Sequence, residues 1–194
     1  MLISYSFISK IMGFRVYVAI GMALIIIMAG GFSSAPVMAR DRVAAPLTGA
    51  THWLNSAPLT GAMLSDKVVL VDFWTYSCSN CLNALPHVKA WDEKYRTQGL
   101  MVIGVHTPEY DAEKNLQNVE QAIKRLGVTY PVAMDNQYAI WKAYENKYWP
   151  AQYLIDAKGQ LRYQHYGEGA YREIESKIQE LLKEAQQSKA VAHH

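Results

Sequence analysis

The chain has 194 residues, 51% of them apolar, with 19 Lys and Arg against 17 Asp and Glu. That length fits one domain plus an appendage, and nothing in the charge pattern suggests the clustered basic surface that a nucleic-acid partner needs. A chain this long buries a core without disulfide staples, so its only two cysteines need another explanation.

Residues 1–39 do not read like the rest. Lys10 and Arg15 are their only charges and precede an apolar run at 16–30, after which come Gly31, Ser33, Ser34, Pro36 and then Val37-Met38-Ala39. Basic, apolar and small-residue regions in that order are the layout of a secretory signal peptide. The run is shorter than the ~20 apolar residues that span a bilayer. Cleavage after Ala39 and a periplasmic or extracytoplasmic location are expected, with an uncleaved membrane anchor as the alternative.

Residues 40–66 form a small-residue and polar lead-in, expected to place a short strand or hairpin over the core through Trp53, Leu54, Pro58 and Leu59. A domain at 67–187 follows. Its first run, 68–74, is continuously apolar and β-branched apart from Asp72, the pattern of a strand buried on both faces. Leu82, Leu85, Val88, Trp91 and Tyr95 then recur at a helical period, interrupted by Pro86 and stopped by Gly99. A second buried strand at 100–105 ends in His106-Thr107-Pro108-Glu109, and Leu116, Val119, Ile123 and Leu126 mark an amphipathic helix closed by Gly127. A short strand is expected at 130–134, with Asp135 capping a helix through Tyr144. Tyr148-Trp149-Pro150 leads into a strand at 151–155, a turn at 156–159 and a hairpin partner at 160–166. The last helix spans 171–187 with Ile174, Ile178, Leu181 and Leu182 on one face, and 188–194 is expected to be a disordered tail. Strands alternating with helices predict an α/β fold, a central mixed sheet flanked by helices. The crossover puts Cys78 where a central strand passes into a helix, the end at which chemistry collects in such sheets.

Cys78 and Cys81 are too few for a structural zinc site, and a bridge across so short a loop stabilises little through loop entropy. Redox chemistry explains them better. At a helix start Cys78 meets unpaired N–H groups and the positive end of the macrodipole, with Ser77 available as a cap. Both favour thiolate. Cys81, one turn on and deeper, is placed to resolve a mixed disulfide that Cys78 forms.

Val71-Asp72-Phe73-Trp74-x-x-x-Cys78-x-x-Cys81 with Pro86 beyond it resembles the thioredoxin superfamily signature. The export signal and the long insertion between the Cys-x-x-Cys helix and the Pro150 strand resemble its TlpA/ResA-like periplasmic branch. The match is closest to the C-terminal redoxin domain of DipZ-type proteins, through Trp74-Thr75-Tyr76-Ser77-Cys78-x-Asn80-Cys81, Gly104-Val105-His106-Thr107-Pro108-Glu109, Tyr148-Trp149-Pro150-Ala151, Leu154-Ile155-Asp156 and Gly167-Glu168-Gly169. The resemblance implies a thioredoxin-like fold and a thiol–disulfide oxidoreductase with no cofactor beyond the Cys78–Cys81 disulfide. It further implies thiol or disulfide proteins as substrates and, since the membrane domain of DipZ-type proteins has no counterpart here, a separate membrane electron donor of CcdA/DsbD type.

Residue by residue, Asp72 falls where thioredoxins carry a buried carboxylate, the proton acceptor for Cys81. Pro150 falls on the family's cis-proline, which faces the cysteines. Trp149, Trp74 and Tyr76 are expected around the substrate groove, although core packing suits Trp74 better. Glu109 could relay protons, because Ala84 stands where the TlpA/ResA-like enzymes often carry a glutamate, and His106 could tune the thiolate. A reducing role is favoured. The alternatives are a thiol peroxidase (Thr75 echoes a Thr-x-x-Cys pattern), a copper-delivering assembly factor using Cys78, Cys81 and His106, and a binding domain without catalysis.

Overall fold

The computed structural model describes residues 42–44 and 46–192; the expected signal segment lies outside them. Among the described residues no helix is long and apolar enough to cross a membrane. In chain order the elements are β1 (Arg42–Val43), β2 (His52–Leu54), α1 (Gly61–Leu64), β3 (Val68–Trp74), α2 (Ser79–Tyr95), β4 (Leu100–His106), α3 (Leu116–Leu126), β5 (Val132–Met134), α4 (Ala139–Ala143), β6 (Ala151–Ile155), β7 (Gln160–Tyr166) and α5 (Tyr171–Ala192). Short 3₁₀ turns lie at Arg96–Gln98 and Asp111–Lys114.

Every residue of β3 is buried, which is why its sequence shows no alternation. β3 pairs in parallel with β4 and antiparallel with β6, and the full sheet runs β1-β7-β6-β3-β4-β5-β2. Side chains alternate across it. Val68, Leu70 and Trp74 face Leu85, Val88 and Trp91 of α2, Val119 and Ile123 of α3, and Ile174, Ile178 and Leu181 of α5. Val69, Val71 and Phe73 face α4 through Ile140, with Tyr144 and the lead-in beside it. This is the thioredoxin-like architecture that the sequence predicts, and β4, α3, β5 and α4 fill the long segment between α2 and β6.

The lead-in departs from expectation. It forms neither one strand nor a hairpin but a strand on each edge, β1 against β7 and β2 against β5. Leu47 and Ala50 pack on the apolar face between them, which draws the segment across the sheet. Gly49 makes this approach feasible: its φ is +100°, and a Cβ there would stand 2.5 Å from the Ala139 Cβ. The C-terminus also differs, because α5 continues through Ala192 rather than ending at Gln187. Lys189, Ala190 and Ala192 are good helix formers, and no Gly or Pro stands at 188–192 to stop the helix.

Candidate active site

Helix α2 opens on the cysteines. Cys78 is its N-cap, and the Cys78 sulfur itself accepts the Cys81 backbone N–H at 3.2 Å. The cap expected of Ser77 is therefore supplied by Cys78. The two cysteines form a disulfide with Cα atoms 5.2 Å apart. Cys78 is half-buried whereas Cys81 is 3% exposed, so only the first sulfur meets a partner. The N–H donors and dipole at this helix mouth favour a thiolate there once the bond is reduced.

Asp72 lies on the β3 face that packs Cys81, between Leu70 and Trp74. It is buried, and its Oδ1 accepts the Gln152 amide N–H at 2.8 Å across the β3–β6 pairing. Burial pushes its carboxyl up to about 7 against the opposing pull of that hydrogen bond. Trp74 is 1% exposed and so belongs to the core rather than to a groove wall. Its indole nitrogen lies so close over Gly104 that a Cβ at that position would meet it at 2.9 Å, with the Tyr130 ring at 3.1 Å. Gly104 is what lets Trp74 and Tyr130 gather beside Asp72, whose charge, added to burial, holds the Tyr130 phenol well above its ordinary range.

Next to the cysteine turn stands His106, fully buried at the end of β4. Its ring meets Trp74 edge-on at 5.4 Å and stacks on half-buried Tyr76 at 5.7 Å. Burial drives the imidazole down to about 4 despite the nearby Glu113 carboxylate, so the ring is neutral at pH 7. Its Nε2 lies 3.3 Å from the Thr75 hydroxyl. The Thr75 hydroxyl also helps to hold the Glu113 carboxylate in its charged form. As a neutral ring, His106 organises the turn by packing rather than by charge. Among the described residues no group of His, Cys, Asp and Glu comes together to hold a metal ion.

Glu109 is exposed, and its backbone N–H donates to Glu113 Oε2 at 2.6 Å. Glu113, which the sequence reading passed over, is the acid that reaches the cysteine turn: its Oε1 accepts the Ser77 hydroxyl at 2.6 Å and the Ser77 N–H at 3.3 Å. Burial alone raises this carboxyl, but the hydroxyls of Ser77 and Thr75 and the N–H groups of Tyr110 and Glu109 outweigh it and hold the group below its ordinary value. A local signal existed. Glu113 stands three residues after Tyr110, the capping-box position of the 3₁₀ turn, and accepts the Tyr110 N–H at 3.0 Å.

Across the site the Trp149–Pro150 peptide is cis. Pro150 is buried, and its carbonyl accepts the Gly167 N–H at 2.8 Å. Half-buried Trp149 donates its indole N–H to the Thr107 carbonyl at 3.1 Å and lies against Trp141 at 4.2 Å. Tyr148 and Tyr166 continue this aromatic margin, their rings 5.6 Å apart.

A half-exposed sulfur capping a helix, its buried partner one turn on and a carboxyl poised near neutrality on the same face make up a site built for thiol–disulfide exchange on a thioredoxin-like fold. The comparisons agree. The chain belongs to the AhpC/TSA family, whose model matches residues 47–164. It is 51% identical over 142 residues to protein DipZ of Mycobacterium tuberculosis, an alignment that takes in 72% of this chain and 20% of that one, so the chain spans about a fifth of that relative. It is 31% identical over 140 residues to thiol-disulfide oxidoreductase YkuV of Bacillus subtilis, covering 72% of this chain and 94% of YkuV. Among solved structures, a thioredoxin-like protein in its oxidised form superposes with a TM-score of 0.68 at 31% identity, over 75% of this chain and 98% of that one.

Proposed function

We propose that the protein reduces disulfides of other exported proteins and is itself re-reduced by a membrane dithiol donor. The observation that carries this reading is the asymmetry of the pair, an accessible Cys78 at a helix mouth and a buried Cys81 on the face that holds Asp72. The Cys78 thiolate attacks one sulfur of a substrate disulfide, forming a mixed disulfide and releasing a substrate thiolate that takes a proton from water. Cys81 then yields its proton to the Asp72 carboxylate, attacks the Cys78 sulfur and expels the second substrate thiolate. Two electrons have moved to the substrate, and the Cys78–Cys81 disulfide remains. A donor dithiol of CcdA/DsbD type runs the same steps in reverse. A carboxyl near 7 both accepts and returns the proton at neutral pH. The signal-like segment ahead of the domain supports an extracytoplasmic site of action, and Trp149 with its aromatic neighbours supports apolar segments around the substrate cysteine. A peroxidase reading draws less support, because Thr75 directs its hydroxyl to His106 and Glu113.

The test is the potential of the Cys78–Cys81 couple, equilibrated against thiol–disulfide buffers. A value near about −270 mV fits a reductant, and one near about −120 mV would overturn that direction.

A further inference from the structure

Glu113 is 1% exposed, yet no Lys or Arg among the described residues pairs with it. Neutral donors alone satisfy the carboxylate: the Ser77 hydroxyl and N–H, the Thr75 hydroxyl, and the N–H groups of Glu109 and Tyr110. Hydrogen bonds of this kind fix a carboxylate in its charged form without cancelling the charge. Ser77, the residue clamped through both its backbone and its side chain, immediately precedes Cys78. A fixed negative charge therefore stands beside the nucleophile, and its field opposes the helix mouth that favours the thiolate.

The other titratable groups around the turn do not supply such a charge at pH 7. His106 is neutral, and Asp72 is divided between its two forms. The Tyr138 phenol is raised by burial, which outweighs the pull of Lys114 and is reinforced by Glu113, and so is protonated; Lys114 itself is paired with Asp111. Glu109 stands in water, where its field is screened.

We propose that Glu113 is the positioning residue that sets the reactivity of Cys78: clamped to Ser77, its charge makes the Cys78 thiolate harder to form and drives the couple toward its reducing end. This deepens the proposed reducing role and rests on Cys78 being the attacking sulfur. Exchange of the carboxylate for an amide separates charge from shape. In Glu113→Gln the amide oxygen still accepts the Glu109 and Tyr110 N–H groups while its NH₂ turns to the Ser77 oxygen, so the turn keeps most of its bonds.

The experiment titrates Cys78 by the pH dependence of alkylation and by thiolate absorbance, and measures the potential at pH 9, where the thiolate dominates. Glu113→Gln is expected to lower the Cys78 pKa by about one unit, a tenfold gain in thiolate at a pH below both values. The same tenfold change raises the potential by about 30 mV. Glu113→Asp, which draws the charge back from Ser77 by one methylene, shifts both readouts in the same direction and by less, and it stands alone should the glutamine variant not fold. A loss of order in the turn would depress turnover without this graded shift. A folded variant whose Cys78 titrates where the wild type does, or at higher pH, overturns the proposal. If Cys78→Ser instead leaves disulfide reduction intact, the reading of Cys78 itself fails, an outcome distinct from an unmoved pKa.

Discussion

Asp72→Asn tests the central electrostatic claim on its own. Asparagine keeps the volume and the oxygen that accepts the Gln152 N–H, and removes only the titration. In the folded protein the carboxyl titrates at about 7, against an ordinary 3.8. A group raised on folding contributes stability that is fully present below its unfolded value and is lost as pH climbs through the folded one. The wild type should therefore lose stability between about pH 4 and pH 7 relative to the variant, and the difference should level off above that window. Some three units at ~1.36 kcal/mol each amount to roughly 4 kcal/mol, undiscounted for solvent because the group is buried. Urea denaturation of both oxidised proteins at half-unit steps from pH 4 to pH 8.5 measures it. Parallel stability curves across that range, or a wild type that gains on the variant as pH rises, would refute the reasoning.

Four further substitutions probe neighbouring links. Cys81→Ser is expected to arrest turnover at the mixed disulfide, visible as a covalent adduct by mass spectrometry, whereas Cys78→Ser should form no adduct and lose disulfide reduction by orders of magnitude. Gly104→Ala drives a methyl against the Trp74 nitrogen and the Tyr130 ring, and a loss of about 1–3 kcal/mol in urea denaturation, with altered tryptophan fluorescence, is expected. Gln152→Leu removes the one hydrogen bond that opposes the effect of burial on Asp72, so the alkaline limb of the stability profile should move to higher pH; an unmoved limb would show that Gln152 does not act on the carboxyl.

The sheet and the cysteines were legible because their signals are local. Residues 68–74 read as a buried strand without reference to any neighbour, and the strand, Cys-x-x-Cys and helix succession fixes which sulfur is exposed. Gln152 was not legible as a partner of Asp72, since their encounter depends on β6 lying antiparallel to β3 in one register, and the two stand 80 positions apart. Glu113 was missed for the opposite reason. Its capping role is local, but the second oxygen reaches Ser77 only because β4 returns the chain beside β3. Trp74 stands close to Cys78 in sequence, and strand alternation turns it onto the helix-covered face beside Gly104, the core packing that suits it better than a groove wall. The lead-in divides between two edges because its apolar residues find the exposed face of the sheet, a tertiary preference that no short-range pattern announces.

The pairing of β1 gives the molecule a polarity. Arg42 and Val43 join β7 at Leu161 and Gln160, and the Ala44 N–H meets the Gly159 carbonyl in the β6–β7 turn. Ile155, just before that turn, is registered with Val69 near the start of β3, whereas Cys78 follows the opposite end of the same strand. Arg42 thus enters the sheet at one pole and the sulfurs occupy the other, about 23 Å apart by the length of a seven-residue strand. β1 and the β6–β7 turn thereby close the pole away from Cys78, and the redox pole is left clear of them.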